Sequence, residues 1–457
     1  MSPGLDGEKF FIVARGEAVK RIDAFYWQPK FHVLDTIFAR YPDWTVRLGS
    51  IATGITNGDH GGVEYTDKGV RYLRGQSVTE FGLDLAKDQR FISEAEHSRM
   101  VRAEVLSGDV LYTIAGSVGN ACVVGGIDRA NINQAIVRVR PFKHIIPQYL
   151  ADFLNSSLGR LQGRRVANGG VQLNINFSEV RSLRILAPPL DKQRRLVDEL
   201  SAARASYRSA LAQAARLLES VDDYLLAELG IALPPEPENT LTNRIFTAQR
   251  RELAGWRFDP QALHPEREGC IAELQRRPFH SLRKAASFCR DLRKEIPDGV
   301  IYVGLENIES HTGRYIPSSD KESVSSAFAF RKGQVLFPKL RPYLNKVFLA
   351  PFDGLCSTEF HVLEGVTVCS EFLALFLRSN LVVKQTKHLM SGNTLPRLQT
   401  EDIETLLIPD VDDLVQQRII SKAEHWMAEA EQLRQHAETE LEAAKRRIEA
   451  MLLGEPV

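Results

Sequence analysis

The sequence predicts an α+β protein in which two similar α/β lobes are separated by two long helices packed as an antiparallel coiled coil. Three observations predict this fold class: a strand phrase occurs twice, a helix lead-in phrase occurs twice, and each copy runs into a long helical pattern. The strand phrase at 106–113 returns at 330–337, with Gly108 and Gly333 in register. The lead-in phrase at 169–180 returns at 392–403. Because both offsets are about 223–225 residues, the repeat is a whole domain plus its helix.

The first lobe is predicted at residues 22–189, after an N-terminal arm at 1–21, and the second lobe at residues 244–409. Runs of β-forming residues alternate with turn residues and lack a regular βαβ rhythm, which favours an α+β lobe. In the first lobe we predict strands at 110–114, 121–124 and 135–139 and a helix near 147–161. In the second lobe we predict strands at 300–303, 334–337 and 346–350 and a helix near 370–384.

The two long helices are predicted at residues 190–230 and 410–454, with a stiff proline-rich linker at 231–243. Apolar or small residues recur every three or four positions, which is the spacing of a coiled-coil seam. Each helix is about 55–60 Å long at 1.5 Å per residue. Alanines on both seams allow close approach, and the chain must return from the second lobe, so antiparallel pairing is expected. The alternative is that each helix packs only on its own lobe. The first seam comprises Leu196, Leu200, Ala203, Tyr207, Ala210, Ala214, Leu217, Val221 and Leu225, and the second Ile420, Ala423, Met427, Ala430, Leu433, Ala437, Leu441, Ala444, Ile448 and Met451.

The composition is that of a globular protein of two to four domains, with 457 residues, 44% hydrophobic and 25% charged. The five cysteines are odd in number and scattered, which argues against a disulfide framework and a zinc module and favours the reduced cytoplasm. No apolar run approaches the roughly 20 residues of a membrane span, so no membrane partner is expected. Residues 1–23 are too charged for a signal peptide.

The charge is distributed unevenly although the net charge is zero. Each lobe is basic by four charges, with 23 basic and 19 acidic residues in 1–189 and again in 241–409. The segment 190–240 carries 6 basic and 9 acidic residues, and 410–457 carries 6 and 11. Basic lobes can meet phosphate, whereas acidic helices are better suited to protein partners.

A search for catalytic motifs finds none that is convincing. The sequence contains no Gly-x-x-x-x-Gly-Lys-Ser/Thr phosphate loop and no Asn-Pro-Pro-Tyr or Asp-Pro-Pro-Tyr tetrapeptide of an amino-methyltransferase. The histidines do not stand at metal-ligand spacing, and His361 is interpreted as an ordinary packed or surface histidine. We therefore predict a protein that is non-catalytic by itself, with no catalytic residues, no metal site and no cofactor of its own.

Basic and aromatic residues in turn-rich segments are the candidates for DNA binding. Arginine and lysine can contact guanine edges or phosphates from such segments. The strongest candidate is the run 339–346, because Pro342 fixes the loop while three cations and a tyrosine come from few residues. The first lobe's counterpart, 113–120, contains no cations, as expected of two domains that read different sequences. The candidates are Arg71, Arg74, Lys87, Arg90, Arg99 and Arg102 in the first lobe and Arg290, Arg293, Lys294, Lys321, Lys339, Arg341, Tyr343 and Lys346 in the second.

With these motifs the chain resembles the specificity (S) subunit of type I restriction–modification systems over nearly its full length. The resemblance rests on the order lobe–helix–lobe–helix together with several phrases. These are Gly-Asp-Val-Leu and Gly-Gln-Val-Leu at the repeated strands, Gly-x-x-Gln-Leu-Asn-Ile at 169–175, the lobe starts at 21–29 and 257–260, and the helix starts at 187–194 and 416–418. The usual Glu-Gln of each helix start is replaced by Lys192-Gln193 and Gln416-Gln417, and Pro396-Arg397 stands where the first lobe has Leu-Asn.

The resemblance implies two target-recognition domains that each read one half of a bipartite site in double-stranded DNA. It also implies that the helices act as a ruler for the gap between the half-sites. Two methyltransferase (M) subunits, which use S-adenosylmethionine, would dock on the chain, and restriction (R) subunits could join for cleavage. The alternative function is a coiled-coil scaffold that assembles protein partners without reading DNA. The recognised bases stay open, since they depend on loop conformation and DNA shape.

Overall fold

The computed structural model describes residues 25–455 apart from 59–60, 169–172, 236–237, 239, 241–244, 246, 248–259, 295–296, 298, 318–325 and 393. The chain divides into two compact units. The first unit comprises residues 1–209 and 437–457, and the second comprises residues 210–436. The predicted arm at 1–21, nearly half of the linker, and parts of the phrases at 21–29, 169–175 and 257–260 lie outside the described residues.

In its described residues the first lobe contains five short α-helices, three of nine or ten residues and two of six, together with twelve short strands, and it leads into the first long helix. In chain order these elements are α1 (His32–Arg40), β1 (Thr45–Arg47), β2 (Ala52–Asn57), β3 (Val70–Leu73), β4 (Val78–Thr79), β5 (Gly82–Leu83), β6 (Phe91–Ile92), α2 (Glu94–Arg99), β7 (Glu104–Leu106), β8 (Val110–Thr113), β9 (Ala121–Val123), β10 (Arg129–Ile132), β11 (Ile136–Pro141), α3 (Pro147–Asn155), α4 (Ser157–Val166), α5 (Phe177–Ser182), β12 (Arg184–Leu186) and α6 (Leu190–Glu228).

The second lobe has a similar succession of elements and leads into the second long helix. They are α7 (Pro265–Leu274), β13 (Phe279–Ser281), α8 (Leu282–Ala285), β14 (Ala286–Cys289), β15 (Leu292–Arg293), β16 (Tyr302–Val303), β17 (Ala327–Phe330), β18 (Val335–Pro338), β19 (Phe348–Leu349), β20 (Gly354–Ser357), β21 (Phe360–Gly365), α9 (Ser370–Leu377), α10 (Asn380–Thr386), α11 (Thr400–Glu404), β22 (Leu407–Pro409) and α12 (Asp413–Leu453).

The two lobes share most of their sheet topology and differ at the edge strands, where β6 pairs with β3 but β15 pairs with β17, and in the pair β4-β5 of the first lobe. The order β2-β11-β8-β9 in the first lobe matches β14-β21-β18-β19 in the second, and all of these pairs are antiparallel. The order β3-β10-β7 matches β16-β20-β17, and in each trio one pair is parallel and the other antiparallel. The pair β1-β12 matches β13-β22. The predicted fold class, two similar α/β lobes with two long helices, is therefore confirmed.

The repeated glycines occupy the same turn in both lobes. Gly108 has φ +89° and Gly333 has φ +84°, a conformation that favours glycine. The amide of Gly108 donates to the carbonyl of Val124 at 2.9 Å, and the amide of Gly333 donates to the carbonyl of Ala350 at 2.8 Å. The strand phrase recurs because this left-handed turn is needed to lead the chain into β8 and β18.

In each lobe, the sheet that contains β8 or β18 has a hydrophobic core on each of its faces. In the first lobe Val137 and Val139 of β11 face the core that includes α3, whereas Ile136 faces the core shared with the sheet of β3, β10 and β7. In the second lobe Leu363 and Val362 divide in the same way. This alternation is the two-residue period of a strand that is buried on both sides.

The prediction of a single helix after the sheet of each lobe is wrong, because each lobe has two shorter helices there. Ser156 separates α3 from α4, and Ser379 occupies the same place between α9 and α10. Both serines have extended backbone, and the Ser156 side chain accepts from the amide of Gly159 at 3.3 Å. In a sequence pattern, a serine at the start of a new helix cannot be told from a serine on the exposed face of a continuous helix, so the break was missed.

The long helices run antiparallel to each other within each unit. In the first unit Lys192 Nζ donates to the carbonyl of Leu452 at 3.3 Å, and Arg447 pairs with Glu199 at 3.1 Å. In the second unit Arg418 pairs with Glu228 at 2.6 Å. Both helices end on a glycine of positive φ, Gly230 and Gly454. The residue after each glycine donates its amide five residues back, to Leu226 or Ala450, which is a Schellman motif.

The predicted seam misses three buried positions of α6, which are Gln193, Arg204 and Leu226. Arg204, not Ala203, is buried, and it pairs with Asp152 of α3 at 2.6 Å. At the equivalent positions of the second unit, Met427 and Leu375 line one small cavity. A buried ion pair and an apolar pair of similar volume can replace each other at little net cost in stability, so hydrophobic periodicity could not predict the arginine.

A buried glutamine ties each long helix to its lobe. The Gln193 side chain accepts from the amide of Ile146 at 2.9 Å and donates to the carbonyl of Pro188 at 2.7 Å. The Gln416 side chain accepts from the amide of Cys369 at 2.9 Å and donates to the carbonyl of Val411 at 2.7 Å. Ile146 and Cys369 are the N-cap residues of α3 and α9. The register read from the sequence, which set Gln193 against Gln417, is therefore corrected by one residue.

Replacing either buried glutamine by alanine should destabilise the unit that contains it by about 1–3 kcal/mol, because two buried backbone groups lose their partners. Gln193→Ala tests the first unit and Gln416→Ala the second, by urea unfolding. Gln417→Ala is the matched control, since Gln417 is exposed on the same helix, and it should change stability by less than about 0.5 kcal/mol. If Gln416→Ala and Gln417→Ala changed the stability equally, the proposed role of the Gln416 hydrogen bonds would be contradicted.

Candidate nucleic-acid interface

Three predicted arginines of the first lobe surround one buried carboxylate. Arg74 Nε lies 2.5 Å from Asp88, and Arg90 Nε lies 3.6 Å from it. Arg71 donates to the Asp88 carbonyl at 3.4 Å, and its guanidinium lies 4.9 Å from the ring of Phe91. The hydrogen bond to Asp88 raises the pKa of Arg74. Asp88, which was not predicted, holds the cations in fixed positions on β3 and the loop before β6.

The other predicted cations of the first lobe lie apart from this cluster. Lys87 is exposed and lies 3.6 Å from Asp84. Arg99 at the end of α2 pairs with Glu96 at 2.9 Å. Arg102 is exposed, and its Nη1 donates to Thr56 Oγ1 of β2 at 3.2 Å. Arg102 therefore belongs to a different edge of the lobe, where β2 and β11 lie side by side.

Two arginines of β11 that were not predicted lie at this edge. Arg138 and Arg140 are two residues apart on one strand and so point to the same face. Arg140 makes a two-pronged ion pair with Asp109, with both N–O distances 2.8 Å. Arg138 donates to the carbonyl of Glu104 at 2.6 Å. They were missed because a strand whose alternate residues are buried was interpreted only as core.

A basic cluster of the second lobe surrounds His361 at the ends of β18 and β21. Lys339 follows β18 directly, and its Nζ lies 5.9 Å from the ring of Phe328. Arg290 and Arg397 lie close enough to lower the pKa of Lys339, although burial is the larger cause. Arg397, which was not predicted, makes a two-pronged ion pair with Glu359 at 2.9 and 3.1 Å. Lys339 and Arg290 were predicted, and the structure brings them together.

The loop after Lys339 divides its side chains between solvent and the lobe interior. Arg341 and Tyr343 are exposed on the turn that contains Pro342, and Arg341 has φ +49°. Lys346 turns inward, and its Nζ donates to the carbonyl of Leu305 at 2.8 Å. We predicted that Lys339, Arg341 and Lys346 project together, but Lys346 points into the lobe while Arg341 is exposed.

Two of the three remaining predicted cations of the second lobe lie at or next to β15. Arg293 is exposed and pairs with Asp291 at 2.7 Å. Lys294 is exposed just beyond the strand. Lys321 lies outside the described residues.

Equivalent positions of the two lobes carry different charges. Asp109 and Arg140 of the first lobe correspond to Gln334 and Glu364 of the second, whose side chains are 3.1 Å apart. Asn174 corresponds to Arg397, because Asn174 bridges Ala115 and Asn168 as Arg397 bridges Leu340 and Ser391. The two lobes thus keep one backbone and place their cations at opposite ends of the same strands.

One group of possible metal ligands occurs in the part of the chain that the structure describes. His264, Glu266 and His388 bring one ligand atom each within 4.8 Å of one another. Lys387 lies 2.6 Å and Lys384 3.3 Å from Glu266. The His388–Glu266 contact at 2.8 Å joins α10 to α7, as the Arg165–Asp35 pair at 2.9 Å joins α4 to α1. Two ammonium groups beside Glu266 oppose a divalent cation, so we interpret the cluster as a structural ion pair between helices.

Within the described residues, none of the helices combines the length and apolar character needed to span a membrane.

His361 should make the second lobe less stable in mild acid. Burial, reinforced by Lys339 and Arg290, lowers its pKa to about 4. The unfolded chain, with a histidine pKa near 6.5, binds the proton first, so stability is lost as the pH falls from about 7 towards 4. Between pH 7.5 and 5.0 the free energy of unfolding of the wild type should fall by about 2 kcal/mol more than that of His361→Gln. Urea unfolding at both pH values measures this. His425→Gln, at an exposed site on α12, is the control, and the same pH loss in His361→Gln as in wild type would disprove the assignment.

Comparison with curated proteins finds two related specificity subunits from Escherichia coli. The chain is 28% identical over 134 residues to the type I restriction enzyme EcoDI specificity subunit, a match of 29% of this chain and 30% of that protein. It is 25% identical over 130 residues to the type I restriction enzyme EcoBI specificity subunit, 28% of this chain and 27% of that protein. The matched part thus spans about three tenths of each relative's length. No family model matches the chain.

Solved structures of type I systems also match the chain. One comes from work on complex assembly and conformational transition of the type I R-M system. It covers 89% of this chain and 96% of its own, with 16% identity and a TM-score of 0.46. The S subunit from M. genitalium covers 90% and 96%, with 13% identity and a TM-score of 0.40. The curated relatives of this chain are type I restriction enzyme specificity subunits, the family that its own residues resemble.

Proposed function

We propose that this chain is the DNA sequence-specificity subunit of a type I restriction–modification complex. It binds double-stranded DNA at a bipartite site, with the first lobe reading one half-site and the second lobe reading the other. One observation carries the proposal: two lobes of largely the same topology bear different cations at equivalent positions. A duplicated binding domain that keeps its framework and changes its surface chemistry is suited to two different sequences.

Affinity and specificity would come from different side chains. Cations such as Arg90, Arg102 and Arg341 are exposed, so phosphates can reach them, and each phosphate contact adds affinity without reading sequence. A good two-pronged contact to a base edge discriminates by about 1–3 kcal/mol. Because the lobes belong to one chain, binding of the second half-site is effectively intramolecular, so discrimination multiplies across the site.

The chain itself is proposed to be non-catalytic and cytoplasmic and to need no cofactor. Two methyltransferase subunits that use S-adenosylmethionine would dock on it and methylate adenine, and restriction subunits could join the complex. The acidic balance of the segments around α6 and α12 suits protein partners better than DNA. The alternative, a scaffold that does not read DNA, is not favoured, because the curated relatives are specificity subunits.

Exchange of residues 22–189 for the first lobe of another specificity subunit should change one half of the methylated sequence and leave the other half intact. Base-resolution mapping of methylated adenines in a host that carries the complex measures this. The control exchanges the second lobe, 244–409, and should change the other half only. A chimera that keeps both original half-sites would refute the assignment of the lobes.

Removal of two exposed cations from the second lobe should weaken DNA binding without unfolding it. Arg290→Gln with Arg341→Asn removes two charges, and asparagine tolerates the left-handed backbone at 341. The slope of log affinity against log salt should fall by about 0.9 for each lost phosphate contact. Arg283→Gln with Lys284→Gln, at exposed sites on α8, is the matched control. DNA affinity unchanged at moderate salt in the first variant would favour the scaffold.

A further inference from the structure

Three arginines of the first lobe form a compact cationic cluster at the edge where β2 meets β11. The cluster consists of Arg102, Arg138 and Arg140. Arg138 is the β-ladder partner of Thr56, and Thr56 accepts from Arg102, so the two guanidiniums flank one residue of β2. Arg140 lies on the same face of β11, two residues further along.

The cluster carries more positive charge than its contacts neutralise. Arg140 has a carboxylate partner in Asp109, which is buried. Arg138 and Arg102 donate instead to uncharged oxygens, the Glu104 carbonyl and the Thr56 hydroxyl. Burial lowers the pKa of Arg138, and the charges of Arg140 and Arg102 act in the same direction, whereas the charges of Asp109 and Glu104 raise it. Like charges held this close repel each other unless an anion joins them.

Arg140 and Arg102 are held in place and yet open to solvent, whereas Arg138 is half-buried and its Nε is buried. The Arg140 side chain is 39% exposed although two of its three nitrogens are paired. Arg102 is exposed. A fixed, partly exposed guanidinium loses little side-chain entropy on binding, which makes it a good phosphate ligand.

The second lobe lacks this cluster on the same backbone. Gln334, Val362 and Glu364 stand where the first lobe has Asp109, Arg138 and Arg140. Gln334 donates to Glu364 at 3.1 Å in place of the ion pair. This edge is therefore cationic in the first lobe and acidic in the second, while the end near His361 is cationic in the second lobe.

We propose that Arg102, Arg138 and Arg140 form a phosphate-binding site for the DNA backbone that only the first lobe has. The inference rests on the proposed function and adds to it that the two lobes hold their half-sites through non-equivalent edges. The second lobe binds phosphate through the cluster of Lys339, Arg290 and Arg397 instead.

The second lobe supplies a substitution set that the fold already accommodates. Asp109→Gln, Arg138→Val and Arg140→Glu together place the second lobe's side chains on the first lobe's backbone, so no buried carboxylate is left unpaired. The set lowers the net charge by two. Arg47→Glu lowers it by the same amount at an exposed site on β1, and is the matched control. Arg102→Gln is a single exposed change that the fold does not depend on.

Binding of the full chain to a random-sequence duplex, measured over a range of salt, tests the site without knowledge of the recognised bases. In the triple variant the salt slope should fall by about 2 and the affinity at moderate salt by about tenfold or more. Arg102→Gln should lower the slope by about 1. Arg47→Glu should keep the wild-type slope.

Two results would contradict the proposed phosphate-binding site, and they can be distinguished from each other. If wild type binds with a steep salt dependence and the triple variant behaves like Arg47→Glu, the site is wrong while the proposed function stands. If wild type shows no salt-dependent binding of DNA, the proposed function fails as well. Urea unfolding of each variant shows whether a loss of binding reflects a loss of folding, and Arg102→Gln decides the matter if the triple variant is unfolded.

Discussion

The connection between each long helix and its lobe depends on one buried glutamine. Gln193 and Gln416 each satisfy the amide at the start of a lobe helix and the carbonyl at the start of the long helix. An amide side chain can do this because it carries a donor and an acceptor on one rigid plane. Since the glutamine is buried and both of its partners are backbone groups, it fixes the direction in which the long helix leaves the lobe. A recognition domain needs such a joint if its surface is to be held in a defined position.

Beyond this joint, the two lobes differ most where they can meet a ligand. The strands β8 and β11 and their counterparts β18 and β21 keep the same register. At their two ends the charges differ: Arg140 is matched by Glu364, and Arg397 by Asn174. Such changes leave the cores intact, because Arg140, Glu364, Asn174 and Arg397 are not among the residues of the hydrophobic cores. Surface chemistry can therefore change while the framework stays the same.

The sequence predicted the framework better than the site. Glycines of positive φ, helix-breaking residues and the apolar period of α6 and α12 are local signals, so the duplication and the long helices were predictable. The breaks at Ser156 and Ser379 were missed because a helix cap has the same residue type as a solvent-facing position. Arg138, Arg140 and Arg397 were missed because their role depends on neighbours far along the chain, such as Asp109 and Glu359. The role of the helices as a ruler stays a prediction.

Comparison of the two copies separates two kinds of contact. Those directed at the backbone recur: the glutamine joints, the Gly108 and Gly333 turns and the Schellman ends. Those between two side chains are exchanged, as when Arg204–Asp152 is replaced by Met427 and Leu375. A backbone group is the same whatever residue carries it, so a contact with it survives substitution of its partner. A side-chain pair must change on both sides at once. The framework of each lobe is therefore independent of the residues that we propose to read DNA, and under that proposal this independence would allow one fold to carry two specificities.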